Sequence, residues 1–81
     1  MQDAIIIRHS GPADSEAINR LAALDDRAVP RGDALLAFVD DDLAVARAPD
    51  GYSVADPFRP TAELRELVAL RAVQENEGRA A

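Results

Sequence analysis

Cysteine, lysine and tryptophan do not occur in this 81-residue sequence, and aromatic residues make up only 4% of it. The absence of cysteine excludes disulfides, thiolate metal ligands and a cysteine nucleophile together. No apolar run approaches the ~20 residues that a membrane span needs. The start carries Asp3 and lacks a cleavage-site pattern, which argues against a secretory signal. These absences predict a cytoplasmic protein without a membrane segment.

Acidic residues outnumber basic residues by 15 to 9, and every basic residue is arginine. Nonspecific binding of nucleic acid requires a basic surface that neutralises phosphates, so no nucleic-acid partner is expected. The length permits one small domain. We assign residues 1–76 to this domain and residues 77–81 to a flexible C-terminal tail.

Apolar segments and turn-forming residues predict six elements in the order β-α-β-β-β-α. The predicted elements are strands at 4–8, 34–39, 43–46 and 52–55 and helices at 12–26 and 62–76. The aspartates at 40–42 and the Asp50-Gly51 pair predict tight turns between the last three strands. Pro12 suits the first position of a helix, where its missing N–H has no cost. The order predicts an α+β fold with a mostly antiparallel sheet packed by two helices.

The apolar patterns also predict which side chains are buried. Three consecutive isoleucines at 5–7 put apolar side chains on both faces of the first strand, so we expect both faces to be covered. The last helix is expected to bury Leu64, Leu67, Val68 and Leu70. Phe58, in the loop before this helix, is expected to fill the core.

Arg71 falls on the predicted buried face of the last helix, where a charge needs a partner. Asp56 is expected to pair with Arg59 or Arg71 and to fix the loop on the helix, and we assign Asp56 and Arg71 as the structural pair. The alternative is that Asp56, Arg59 and Arg71 form an anion or ligand site.

No residue is assigned a catalytic or metal-binding role. His9, the single histidine, has the chemistry of a general base, but Ser10 beside it points elsewhere in an extended segment. One histidine with scattered carboxylates offers no metal-ligand spacing. The aspartates at 40–42 lack the glycine and distal glutamate of a calcium loop, so we interpret them as a solvated turn, and Asp25 and Asp26 as surface charges at a helix end.

Residues 6–18, Ile-Ile-Arg-His-Ser-Gly-Pro-Ala-Asp-Ser-Glu-Ala-Ile, resemble the opening of GNAT-superfamily acyltransferases. Members of that superfamily typically begin with a strand ending in Ile-Arg, a short break, Pro at the helix start and Asp before the apolar stripe. The later strands and helix follow in the family's order. The resemblance therefore covers residues 4–75, the first half of a GNAT domain, and residues 55–64 resemble small uncharacterised GNAT-like proteins of high-GC bacteria.

The loop before the last helix departs from the pattern of catalytic family members. They carry Arg/Gln-x-x-Gly-x-Gly/Ala there, and its N–H groups bind the pyrophosphate of acyl-CoA. Residues 54–64 of this chain contain no glycine, and Pro57 and Pro60 have no N–H to donate. The residues left to hold an anion or a CoA diphosphate are Arg59, Thr61 and Ala62. We therefore expect no cofactor, with acetyl-CoA as the candidate if one binds.

The resemblance implies a truncated GNAT-like domain whose sheet ends at Tyr52, Ser53 and Val54. Unpaired edge strands without charges invite pairing with another chain. We expect a homodimer through strand 52–55 or through helix 62–76, and a noncatalytic function in self-association or protein binding. One alternative is an acyl-CoA- or anion-binding half that acts as an N-acetyltransferase only with a complementary half. The other is an unrelated α+β domain that shares the element order.

Overall fold

The computed structural model describes the backbone of residues 4–80 and the side chains of residues 4–76. Its elements are β1 (Ile5–His9), α1 (Ser15–Leu24, preceded by a 3-10 turn at Pro12–Asp14), β2 (Leu35–Val39), β3 (Asp42–Arg47), β4 (Ser53–Ala55) and α2 (Ala62–Ala80). The predicted α+β class and element order are confirmed. Helix α2 continues past residue 76, the predicted end of the domain. Within the predicted tail, residue 81 lies outside the described residues.

The four strands form one sheet in the order β1-β2-β3-β4, with each strand antiparallel to the next. The turn between β2 and β3 places Asp40 and Asp41 in the left-handed region, with φ of 49° and 72°. Gly51 has φ of 95° in the turn before β4. Both predicted turns are therefore formed. Among the described strands, β1 and β4 are the two edges of the sheet.

The two helices lie on opposite faces of the sheet. Alternate side chains of a strand point to opposite sides, and each helix packs against one of the two resulting sets. Helix α1 packs on β3 and β4, and helix α2 packs on β2 and β3. The α1 side buries Leu21, Ala22, Ala34, Leu36, Ala46 and Val54. The α2 side buries Leu35, Ala37, Ala44, Val45, Ala55, Leu64 and Val68. The sheet is therefore the middle of three layers.

The helices cover strand β1 only in part. Ile7 packs against the core under α2, but Ile5 and Ile6 are 50% and 51% exposed. The prediction that both faces of this strand are covered is wrong, because the helices are centred over β2, β3 and β4.

Helix α2 buries a narrower face than its sequence predicts. Leu64 and Val68 are buried, but Leu67 and Leu70 are 45% and 53% exposed. The prediction of burial is wrong for these two leucines. The inward positions recur every four residues, with Ala72 next in the series, and this spacing leaves Leu67 at the border of the inward face and Leu70 on the side away from the sheet.

Candidate functional site

The loop between β4 and α2 is held by hydrogen bonds to Asp56. The Asp56 Oδ1 atom accepts from the backbone N–H of Phe58 at 2.8 Å, and the Asp56 carbonyl accepts from the N–H of Arg59 at 3.3 Å. An aspartate that bonds its own backbone two residues on closes a local turn. Phe58 lies at the tip of this turn and is 81% exposed. The prediction that Phe58 fills the core is therefore wrong.

Two carboxylates hold the guanidinium of Arg59. Its Nη2 atom lies 2.8 Å from Asp42 Oδ2, and its Nε atom lies 3.4 Å from Asp56 Oδ2. Asp42, the first residue of β3, is a partner that sequence reasoning missed, because the contact joins residues 17 positions apart. Arg59 therefore ties the loop to the β2–β3 turn.

The predicted pair of Asp56 and Arg71 is not formed. Asp56 pairs with Arg59, which lies three residues away in the same loop. The Arg71 Nε atom instead lies 3.1 Å from Glu75 Oε2, one helical turn further along α2, and the Arg71 side chain is 48% exposed. The helical spacing of four residues brings Arg71 and Glu75 together, so Arg71 does not need Asp56.

The predicted anion-binding residues lie at the start of α2, whose first residue is Ala62. Arg59 and Thr61 line a cavity of about 260 Å³. The positive end of a helix dipole favours an anion. However, the two carboxylates on Arg59 compensate its charge, and Glu63 also lines the cavity. The geometry uses Arg59 to fix the loop, and binding of an anion stays a prediction.

His9 joins the end of β1 to α2. Its Nε2 atom lies 2.8 Å from Glu75 Oε1. Partial desolvation is the largest influence on the pKa of Glu75 and raises it, but the hydrogen bonds and charges of His9 and Arg71 outweigh it, so the pKa is lowered. The neighbouring Ser10 hydroxyl oxygen accepts from the backbone N–H of Ala34 at 3.0 Å. In this geometry His9 makes a structural contact with α2. The Ser10 hydroxyl is bound to Ala34 and is not a nucleophile that His9 activates.

The described side chains contain no cluster of three or more histidine, aspartate or glutamate residues that could hold a metal ion. The aspartates at 40–42 form the turn between β2 and β3, as the sequence predicts. Asp40 also accepts a hydrogen bond from the N–H of Ala4 through Oδ1 at 3.0 Å. This turn therefore anchors the start of β1.

The residues predicted to form an interface on β4 make contacts within the chain. The Tyr52 hydroxyl donates to the carbonyl of Ala28 at 2.7 Å, and Arg65 donates to the Ser53 hydroxyl at 3.2 Å. Val54 is fully buried. An interface through these three residues stays a prediction, but their side chains are engaged inside the fold.

Asp25 blocks part of the β4 edge. The N–H of Asp56 donates to the carbonyl of Ala44 in β3, so the N–H of the preceding residue, Ala55, points away from β3. That N–H donates to Asp25 Oδ2 at 3.1 Å. The sequence analysis interpreted Asp25 as a surface charge. The only feature of the sequence that could have indicated this contact is the position of Asp25 directly after α1. One outward donor of a three-residue edge is therefore already satisfied.

The β1 edge is longer and more open. Ser10 donates to Ala34 and Asp40 donates to Ala4, so the even-numbered residues of this segment face β2 and the odd-numbered residues face outward. The outward carbonyl of His9 accepts from Arg8 Nη1 at 3.1 Å. The backbone N–H and C=O groups of Ile5 and Ile7 therefore have no partner among residues 4–76.

Exposed apolar side chains lie beside this open edge. Ile5 and Leu67 line the same 260 Å³ cavity, and Leu70 is exposed one turn further along α2. We name Ile5, Leu67 and Leu70 the apolar surface. Contiguous exposed apolar patches mark interaction sites more often than isolated residues do, so this surface and the β1 edge form the candidate functional site.

No helix in the described part of the chain has the length and hydropathy needed to cross a membrane. No protein-family model, curated protein or solved structure matches this chain. A functional hypothesis therefore has to be based on the geometry of β1 and α2.

Proposed function

We propose that this chain is a noncatalytic, GNAT-like module that acts by binding a second copy of itself through the β1 edge and the apolar surface. The observation that carries the proposal is that half-exposed Ile5 and Leu67 lie at an edge strand whose backbone groups at Ile5 and Ile7 have no partner among residues 4–76. An open edge offers hydrogen bonds to another strand. The adjacent apolar surface offers the hydrophobic contribution that such pairing needs.

Burial of the apolar surface supplies a driving force of useful size. Covering a fully exposed leucine or isoleucine contributes roughly 1.5–3 kcal/mol, so covering a half-exposed one contributes about 1 kcal/mol. A symmetric dimer buries each residue twice, because both copies present the same surface. Self-association therefore places an apolar surface on both sides of the interface without requiring another protein.

The loop before α2 supports a noncatalytic role over acyl transfer. The Arg59 guanidinium is bound by Asp42 and Asp56 at 2.8 Å and 3.4 Å. The N–H of Phe58 is bound to Asp56, and Pro57 and Pro60 have none. A CoA diphosphate would have to compete with these two carboxylates for Arg59.

Size-exclusion chromatography with light scattering tests the proposal. We expect the mass of a dimer at micromolar concentration, and a shift to monomer in the double variant Leu67→Glu/Leu70→Glu, because four carboxylates would then meet in one interface. The matched control is Leu24→Glu, at a residue of α1 that is 46% exposed on the opposite side of the sheet. This control should remain a dimer. A monomeric wild-type chain would contradict the proposal.

Calorimetric titration with acetyl-CoA separates this proposal from the alternative of an acyl-CoA-binding half. We expect no saturable heat, because the Arg59 guanidinium and the N–H groups of Phe58 and Arg59 already have partners. Saturable binding that weakens in an Arg59→Ala variant would favour the alternative.

A further inference from the structure

We infer that two copies pair their β1 strands antiparallel about a two-fold axis at Ile6, so that two four-stranded sheets join into one continuous sheet. This inference rests on the proposed self-association and specifies its geometry. Three observations support it. They are the backbone groups of β1 that have no partner among residues 4–76, the register that these groups permit, and the side chains that face each other in that register.

The free backbone groups define which residues can pair. In an antiparallel ladder, two residues that face each other in a hydrogen-bonded pair exchange both N–H···O=C bonds. Only the outward, odd-numbered residues of β1 can make such pairs with a partner strand. Ile5 and Ile7 offer both an N–H and a C=O group, whereas the His9 carbonyl already accepts from Arg8 at 3.1 Å.

Two of the registers with two-fold symmetry pair both Ile5 and Ile7 with residues of the partner's β1. An axis at Ile7 pairs Ile5 with the partner's His9, whose carbonyl already accepts from Arg8 and would have to accept a second hydrogen bond. An axis at Ile6 pairs Ile5 with the partner's Ile7 and uses only free groups. We choose the register centred on Ile6 because it satisfies the free groups of Ile5 and Ile7 without a second hydrogen bond to the His9 carbonyl, and because its side chains match.

The side chains match the same register. On one face of the sheet, Ile6 lies opposite the partner's Ile6, and on the other face Ile5 lies opposite the partner's Ile7. Pairs of β-branched residues stabilise neighbouring strands. Ile6 is 51% exposed, and the partner's Ile6 would bury part of that exposed surface. Ile5 belongs to the apolar surface, so this surface lies next to the paired strands.

Arg8 does not protect this edge as an exposed charge usually does. Its Nη1 and Nη2 atoms each lie 2.9 Å from an Asp14 carboxylate oxygen, and its Cζ atom lies 4.8 Å from the centre of the Phe38 ring. The charge is compensated and held over the sheet. In the Ile6 register, Arg8 lies opposite the partner's Ala4, the smallest side chain in the segment.

Single cysteine variants test the register, because the chain has no native cysteine. In the proposed dimer, residue 6 faces itself in a non-hydrogen-bonded pair, whose Cα atoms lie about 4.5 Å apart, within the range that a disulfide spans. Under mild oxidation, we expect Ile6→Cys to convert almost completely to a covalent dimer on nonreducing gels. Ile5→Cys is the matched control, because residue 5 and its symmetry mate are diagonal neighbours about 7–8 Å apart, and little covalent dimer is expected. A mixture of Ile5→Cys and Ile7→Cys should cross-link to each other.

The outcomes distinguish failure of the register from failure of the proposed function. Circular dichroism of each variant first verifies the native fold. If light scattering gives a dimer but Ile7→Cys cross-links to itself while Ile6→Cys does not, the axis lies at Ile7 and the inference is wrong. A dimer in which neither variant cross-links places the interface away from β1 and also overturns the inference. A monomeric wild-type chain overturns the inference together with the proposed function.

Discussion

Asp25, the residue that follows α1, accepts a hydrogen bond from the backbone N–H of Ala55 at the end of β4, with a distance of 3.1 Å. Ala55 is buried, and its N–H points away from the sheet. The contact closes part of one edge of the sheet, while at the opposite edge a side chain binds the outward carbonyl of His9 but none among residues 4–76 binds the outward backbone groups of Ile5 and Ile7. The two edges therefore differ in their capacity to bind another strand.

Replacement of Asp25 should destabilise the fold. We expect Asp25→Ala to lower the free energy of unfolding by about 1–2 kcal/mol, because the buried N–H of Ala55 loses its acceptor. Asp25→Asn is the control, since its side-chain oxygen can still accept. Urea denaturation measures both, and an unchanged midpoint for Asp25→Ala would show that the contact contributes nothing.

The ion pair of Arg8 and Asp14 predicts a specific acid sensitivity. The hydrogen bond from Arg8, followed by that from the N–H of Gly11, lowers the pKa of Asp14 from 3.8 to about 2. A lowered pKa in the folded state means that the unfolded chain binds a proton more readily. The resulting stabilisation is fully present above about pH 4 and is lost as the pH falls toward 2.

The comparison of wild type with Asp14→Asn isolates this contribution. Denaturant unfolding between pH 2 and pH 6 should give a difference in stability between the two proteins that is largest near pH 6 and shrinks as the pH falls through this window. A difference that does not vary with pH would rule out the lowered pKa as its cause.

Val68 should be critical for the attachment of α2 to the sheet. It is fully buried, and Val68→Ala removes two methyl groups and leaves a cavity, which should cost about 2 kcal/mol of unfolding free energy. The matched control is Val29→Ala, at a valine that is 44% exposed and should change stability by less than about 0.5 kcal/mol. Comparable losses in thermal or urea denaturation would contradict the assigned burial.

Gly51 should not tolerate a side chain. Its φ of 95° lies where other residues are strained, whereas space is not limiting, since an added Cβ would make an ordinary contact with Arg47 Nη2 at 3.5 Å. We expect Gly51→Ala to cost roughly 1–2 kcal/mol of stability. Gly11→Ala is the control, because Gly11 has φ of −126° and its Cβ would make only an ordinary contact with Asp14 at 3.7 Å. Equal midpoints for the two variants would refute the backbone argument.

Local patterns were sufficient to predict the elements of this fold. The β-branched run at 5–7, the turn residues at 40–42 and Gly51 act over a few residues, and the structure places strands and turns there. The partners of charged side chains were predicted less well. Arg59 binds Asp42 from a distant part of the chain, and no spacing rule connects two such positions.

The sequence by itself determined the α+β class, the order of the elements and the absence of cysteine chemistry, because these follow from composition and from periodicities of two and 3.6 residues. Only the tertiary structure decided which apolar side chains stay exposed and which edge of the sheet is open. Ile6 and Leu70 have the same apolar character as buried residues. Ile6 is exposed because the two helices do not fully cover the edge strand β1, and Leu70 is exposed because it lies on the side of α2 that faces away from the sheet.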